Sequence, residues 1–128
     1  MKLQESGEMY LEAVYVLSQK SQAVRAIDIA EYLNYSKPSV SRALGILKDE
    51  GLIKKDSANH IALTKAGKIL AERIYERHTV LSKMLSMLGV DEETAIEDAC
   101  RIEHYISDTS FKAIKAHMKQ YEKQNARI

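Results

Sequence analysis

The stretch Ser36-Lys37-Pro38-Ser39-Val40-Ser41-Arg42-Ala43-Leu44-Gly45-Ile46-Leu47-Lys48-Asp49-Glu50-Gly51-Leu52-Ile53-Lys54-Lys55 decides the fold. Ser36 is suited to cap a helix, and Pro38 falls in its first turn, where a missing N–H does no harm. Val40, Leu44 and Leu47 recur at core spacing, and Gly51 is a C-terminal stop. Upstream, Ala26–Leu33 reads as a shorter helix with Ile27, Ala30 and Leu33 facing inward, and Asn34-Tyr35 is the break between the two. Two helices joined by a tight turn fit a helix-turn-helix with Ser36–Glu50 as recognition helix, although an ordinary αα-hairpin carries the same local signal. The next residues separate these readings. Leu52-Ile53-Lys54-Lys55 and His60-Ile61-Ala62-Leu63 alternate with period two around the polar turn Asp56-Ser57-Ala58-Asn59. A β-hairpin directly after a recognition helix is the wing of a winged helix.

Outward from this core the chain is helical. Residues from Glu8 to about Gln19 form a first helix, apolar at Leu11, Val14 and Leu17 with support from Ala13 and Val16. Thr64 caps a long helix to about Leu88, with an apolar stripe through Ile69, Leu70, Ile74, Leu81, Met84 and Leu85, and Gly89 ends it. At 1.5 Å per residue such a helix spans ~36 Å, enough to link a DNA-binding head to a second subdomain. Glu92–Ile106 is predicted as the next helix. Ser110 to about Asn125 is predicted as the last, with Phe111, Ile114, Met118 and Tyr121 on one side and a fraying polar tail, 122–128. The fold class expected is mainly α: an N-terminal winged helix-turn-helix with a small β-hairpin wing over residues 1–71, then an all-α dimerisation domain over 72–128.

Composition narrows the function classes. With 128 residues, 45% apolar and 29% charged, the chain has the make-up of an ordinary globular protein. No apolar run approaches the ~20 residues that span a bilayer, and the opening residues lack the apolar core of a secretory signal. A single cysteine cannot form an internal disulfide and suits a reducing cytosol, so a cytoplasmic location without membrane contact is expected. The net charge is +1, but it is unevenly spread. Lys37, Arg42, Lys48, Lys54 and Lys55 outweigh Asp49 and Glu50 over residues 37–55, whereas six acidic residues face Arg101 alone over 91–104. Double-stranded DNA is the partner expected for the basic half. Ser36, Pro38, Ser39, Ser41 and Arg42 stand at the start of the recognition helix, with Arg42 the candidate for a guanine contact. Lys37, Lys54 and Lys55 are candidates for phosphate.

The acidic half contains Asp98-Ala99-Cys100-Arg101-Ile102-Glu103-His104. Cys100, Glu103 and His104 stand at i, i+3 and i+4, one face of a helix. Thiol, carboxylate and imidazole together are the usual donors for a divalent transition metal. Met9 and Glu12 also share a face, and His78 lies midway along the long helix. Alone, these three read as core filler, a solvated carboxylate and an ordinary histidine.

Several stretches, in order across residues 8–107, resemble the diphtheria toxin repressor family, whose shorter branch is the manganese transport regulators. They are Glu8-Met9-Tyr10-Leu11-Glu12-Ala13-Val14-Tyr15, Val24-Arg25-Ala26-Ile27-Asp28-Ile29-Ala30-Glu31, and Ser36-Lys37-Pro38-Ser39-Val40-Ser41-Arg42. Glu50-Gly51-Leu52-Ile53, Leu63-Thr64-Lys65-Ala66-Gly67, Arg77-His78 and the segment around Cys100 complete the series. Each is weak alone; their common order is specific.

The resemblance implies a metal-dependent transcriptional repressor that acts as a homodimer on a pseudo-palindromic operator, regulating metal-uptake genes. It implies that Met9, Cys100, Glu103 and His104 match metal positions of the toxin-repressor branch, and Glu12 and His78 further ligands of the manganese branch. It also places Ser82 and Ile96 where ancillary ligands would stand, so no ancillary site is expected, and the SH3-like domain of the toxin-repressor branch is not expected either. The manganese pattern has acidic residues in place of Met9 and Cys100. Sulfur favours Fe²⁺ over Mn²⁺ as the activating ion, while Co²⁺, Ni²⁺ and Zn²⁺ should bind in vitro. One ion per chain is expected, because a thiolate bridges two metals less readily than a carboxylate. An ion taking donors from the first helix and from the Cys100 segment would fix one half against the other, so metal and DNA would favour each other reciprocally. Coordination needs a deprotonated Cys100 and a neutral His104, so affinity should weaken as pH falls.

Two rival readings are a winged-helix regulator that senses an organic ligand and a zinc hydrolase. The second rests on the likeness of Cys100-x-x-Glu103-His104 to a metalloprotease motif. It needs an open metal position, which the additional donors would fill, and it leaves the wing without a purpose. The chain is therefore expected not to be an enzyme.

Overall fold

The computed structural model describes residues 5–126 and divides into two compact units, Met1–Arg73 and Ile74–Ile128. The division falls inside a long helix.

In the first unit, α1 (Glu5–Ser18), α2 (Ala26–Leu33) and α3 (Lys37–Asp49) lead to β1 (Ile53–Lys55), β2 (Ile61–Leu63) and the start of α4 (Lys65–Met87). Leu11, Val14, Ile29, Val40, Leu44 and Leu47 are wholly buried and form its core. The α2–α3 turn is made by Asn34, whose φ of 58° lies in the left-handed region that asparagine tolerates. Ser36 then caps α3, its Oγ accepting from the Ser39 N–H at 3.4 Å, with Pro38 in the first turn. Gly51, at φ +75°, closes α3, and the Leu52 N–H returns to the Leu47 carbonyl at 2.9 Å.

The wing is the antiparallel pair β1·β2, in register Ile53↔Leu63, Lys54↔Ala62 and Lys55↔Ile61. Asp56 locks its turn, one carboxylate oxygen accepting from the Ala58 and His60 N–H groups, both at 2.9 Å. These backbone donors hold the Asp56 carboxyl below the usual carboxylate range. The Ile61 N–H bonds the Val24 carbonyl at 2.7 Å, tying the wing to the segment before α2.

The second unit holds the rest of α4, α5 (Glu92–Ile102) and α6 (Asp108–Ala126). Asp91 caps α5 by accepting from Thr94 N–H at 3.0 Å, and Ser107 caps α6 by accepting from Ser110 N–H at 3.1 Å. Ile74, Leu81, Ala95, Ala99, Phe111 and Met118 are buried.

Several expectations need correction. The first helix begins at Glu5 rather than Glu8, and α6 begins at Asp108 because Ser107, not a residue nearer Ser110, caps it. The α6 helix continues to Ala126 through most of the tail expected to fray, of which residues 127–128 lie outside the described residues. Ile27 faces solvent at 44% exposure, and Ile29 takes the core position. Most consequentially, α5 stops at Ile102 instead of running to Ile106, so Glu103 is its C-cap and His104 lies in the following turn.

Gly67 explains the Thr64-Lys65-Ala66-Gly67 stretch. Thr64 Oγ1 accepts from the Gly67 N–H at 3.1 Å and donates to the Gly51 carbonyl at 2.6 Å, while Thr64 N–H bonds the Leu52 carbonyl at 3.1 Å. A Cβ on Gly67 would overlap that same Leu52 carbonyl oxygen. Glycine to alanine in a helix ordinarily stabilises by up to ~1 kcal/mol. Here Gly67→Ala is expected to destabilise by about 1–3 kcal/mol or more, read as a lower urea midpoint. An unchanged or raised midpoint would contradict the packing.

Candidate metal centre

Within the second unit, α4 supplies His78, the last turn of α5 supplies Cys100, and the cap and turn that follow supply Glu103 and His104. One donor atom each from His78, Cys100 and Glu103 lie within 4.8 Å of one another. The His78 Nδ1 is 3.7 Å from Cys100 Sγ and 3.0 Å from Glu103 Oε2. On the other carboxylate oxygen, Oε1, the His104 Nε2 stands at 3.3 Å. Cys100 is exposed, His78 and His104 are partly buried, and Glu103 is 1% exposed.

These contacts leave a deficit. A single Nδ1 cannot direct one proton at both the Cys100 sulfur and the Glu103 oxygen. Among the described residues, Oε2 of Glu103 is buried with no well-directed hydrogen-bond donor. A carboxylate out of water without full compensation is costly. The bond to the Cys100 thiol, and then the Glu103 carboxylate, push His78 up to about 10 against the opposing effect of burial. His78 is thereby favoured in its protonated form beside the Cys100 sulfur and the Glu103 carboxylate. Nitrogen, sulfur and carboxylate oxygen within one small volume, the carboxylate withdrawn from water, fit a divalent transition metal.

The other candidate residues lie in the first unit. Met9 and Glu12 are half-buried on α1, and the Tyr35 hydroxyl lies 3.9 Å from the Met9 sulfur. Ser36, Lys37, Pro38, Ser41 and Arg42 are exposed at the start of α3, whereas Ser39 is half-buried, its hydroxyl 2.9 Å from that of Ser36. Lys54 and Lys55 are exposed and, as neighbours on a strand, point to opposite faces of the wing.

A winged helix joined to a cluster of transition-metal donors defines the class: a metal-responsive DNA-binding protein. Comparison with known proteins gives the family. The iron-dependent repressor N-terminal DNA-binding domain matches residues 2–61, and the metal-binding and dimerisation domain of the same repressors matches residues 64–126. The HTH-type transcriptional regulator MntR of Bacillus subtilis (strain 168) is 36% identical over 123 residues, 95% of this chain and 86% of that protein. The structure of the manganese regulator SloR superposes with a TM-score of 0.79 at 29% identity, covering 93% of this chain and 55% of that one. A manganese-dependent transcriptional repressor in complex with manganese superposes with a TM-score of 0.81 at 25% identity, covering 88% and 52%. The chain belongs to the iron-dependent repressor family, which includes the diphtheria-toxin-repressor and MntR types. It is a metal-dependent, DNA-binding transcriptional repressor with a dimerisation domain, in a family of regulators rather than enzymes. Among the described residues no helix is long and apolar enough to cross a membrane.

The raised His78 value has a measurable consequence. Its protonated form contributes stability that is fully present below the ordinary histidine value near 6.5 and is lost as pH rises through about 10. In the metal-free protein the His78 ring signal followed by NMR is expected to titrate well above 6.5 and to move down in Cys100→Ser. Titration of His78 near 6.5 in the wild type would refute the assignment.

Proposed function

We propose that this repressor is switched on for operator binding by a divalent metal, with Fe²⁺ favoured over Mn²⁺, held by His78, Cys100, Glu103 and His104 together with Met9 and Glu12. The observation that carries the reading is the convergence of His78, Cys100 and Glu103 donors around a carboxylate withdrawn from water. Met9 and Glu12 enter through the family likeness of the α1 sequence. When bound, the ion supplies the positive charge that the carboxylate lacks. Coordination would require His78 and the Cys100 thiol to release their protons. The softness of Met9 and Cys100 supports iron: relatives bear manganese in their names, but sulfur donors shift preference away from Mn²⁺. Co²⁺, Ni²⁺ and Zn²⁺ are expected to substitute in vitro.

The domain assignment follows the chemistry, with residues 1–71 reading DNA and residues 72–128 binding metal and pairing two chains. Leu88, Ile96, Tyr105 and Tyr121 leave large apolar side chains exposed in the second unit, as a dimerising domain requires. Two recognition helices then meet the half-sites of a pseudo-palindromic operator. Ser36, Pro38, Ser39, Ser41 and Arg42 face the groove, while Lys37, Lys54 and Lys55 meet phosphate. The setting is the cytoplasm, where Cys100 stays reduced.

Two measurements test this. Operator binding titrated with free Fe²⁺ under anaerobic conditions, and with Mn²⁺, is expected to reach half-saturation at lower Fe²⁺, with the order reversing in Met9→Asp/Cys100→Glu. A wild type that responds at lower Mn²⁺ overturns the iron preference. Arg42→Ala is expected to lose ~1–3 kcal/mol of discrimination at one base pair, whereas Lys55→Ala should weaken all sequences alike and flatten the salt dependence. Uniform weakening by Arg42→Ala would reassign it to phosphate.

A further inference from the structure

Arg77 precedes His78 on α4 and is not one of the candidate metal donors. Its importance follows from the early end of α5. The carbonyls of a helix's last turn lack intrahelical donors, and here that turn and the residues after it carry two of the proposed ligands, Glu103 and His104. Arg77 supplies donors to two carbonyls at and just beyond that helix end. Its Nη1 donates to the Glu103 carbonyl oxygen at 3.3 Å and to the Ile106 carbonyl oxygen at 2.8 Å. Its Nη2 donates to the Asp108 carboxylate at the start of α6, and the guanidinium carbon stands 5.5 Å from the centre of the Phe111 ring. The side chain is 17% exposed, so these attachments are shielded from water.

We propose that Arg77 is a positioning residue for the metal centre: it clamps the backbone of turn 103–106 so that Glu103 and His104 are aimed before an ion arrives. One residue of α4 would then hold the ion while its neighbour holds the ligands' backbone. The clamp needs a planar fork that reaches two carbonyls and a carboxylate at once, a task for arginine rather than for the point charge of lysine. Groups behind the ligands govern affinity by fixing ligand orientation, and losing one weakens metal binding by about 10–100-fold.

This inference rests on Glu103 being a metal ligand, and the experiment separates the two. Mn²⁺ affinity is measured on the full chain by competition with a fluorescent chelator, alongside circular dichroism to establish folding. The variants are Arg77→Gln, Arg77→Lys, Glu103→Gln and the double variant Arg77→Gln/Glu103→Gln. Arg77→Gln is expected to weaken Mn²⁺ about 10–100-fold in a folded protein, with Arg77→Lys recovering part of the loss. In the Glu103→Gln background the same change should cost clearly less than it does in the wild type, because part of its effect passes through Glu103 and only the part through His104 remains. A purely structural role would lower the melting temperature with Mn²⁺ affinity within about twofold, or would add its full effect to that of Glu103→Gln; either result overturns the clamp. Should Arg77→Gln fail to fold, Arg77→Lys carries the same comparison, and unchanged affinity in it overturns the clamp as well. If Glu103→Gln itself leaves Mn²⁺ affinity intact, the metal assignment falls and the clamp with it.

Discussion

A carboxylate withdrawn from water sets the terms for the second half of this protein. Glu103 is the buried acidic side chain of the described residues, and one of its oxygens lacks a directed donor. Such a group is tolerated only where positive charge is close. His78 and His104 stand on either oxygen, and the proton held on His78 is the compensation available from the chain itself. In the proposed site a dication would provide more charge in the same volume and engage the thiol as well.

The local elements were largely legible because each is marked by chemistry within a few residues. Ser36 with Pro38 announces α3, Gly51 closes it, Asp56 makes the wing's turn, and Thr64 with Gly67 starts α4. The fold of the first unit follows from those signals, and the core positions Val40, Leu44 and Leu47 are buried as their spacing requires. Ile27 and Ile29 were not distinguishable in the same way. In an eight-residue helix two apolar residues two apart compete for the core, and packing decides.

The centre was legible in part. Cys100, Glu103 and His104 announce themselves by spacing, whereas His78 had no local signature and depended on the family likeness before the structure brought it to Cys100 and Glu103. The end of α5 was hidden because Glu103 keeps helical backbone angles, φ −58° and ψ −27°, so the periodicity runs past the true terminus. Arg77 figured in the sequence only as part of the Arg77-His78 likeness, with no role of its own. An arginine whose partners are carbonyls 26 and 29 residues away leaves no pattern in its neighbourhood.

Anomalous diffraction from crystals of the intact chain grown with Mn²⁺ tests the central claim most directly. A peak in coordination contact with Glu103 and His78, with Cys100 Sγ turned toward it, is the result the account predicts. A peak that avoids Glu103, or full operator binding by metal-stripped protein in the matching binding assay, would contradict it.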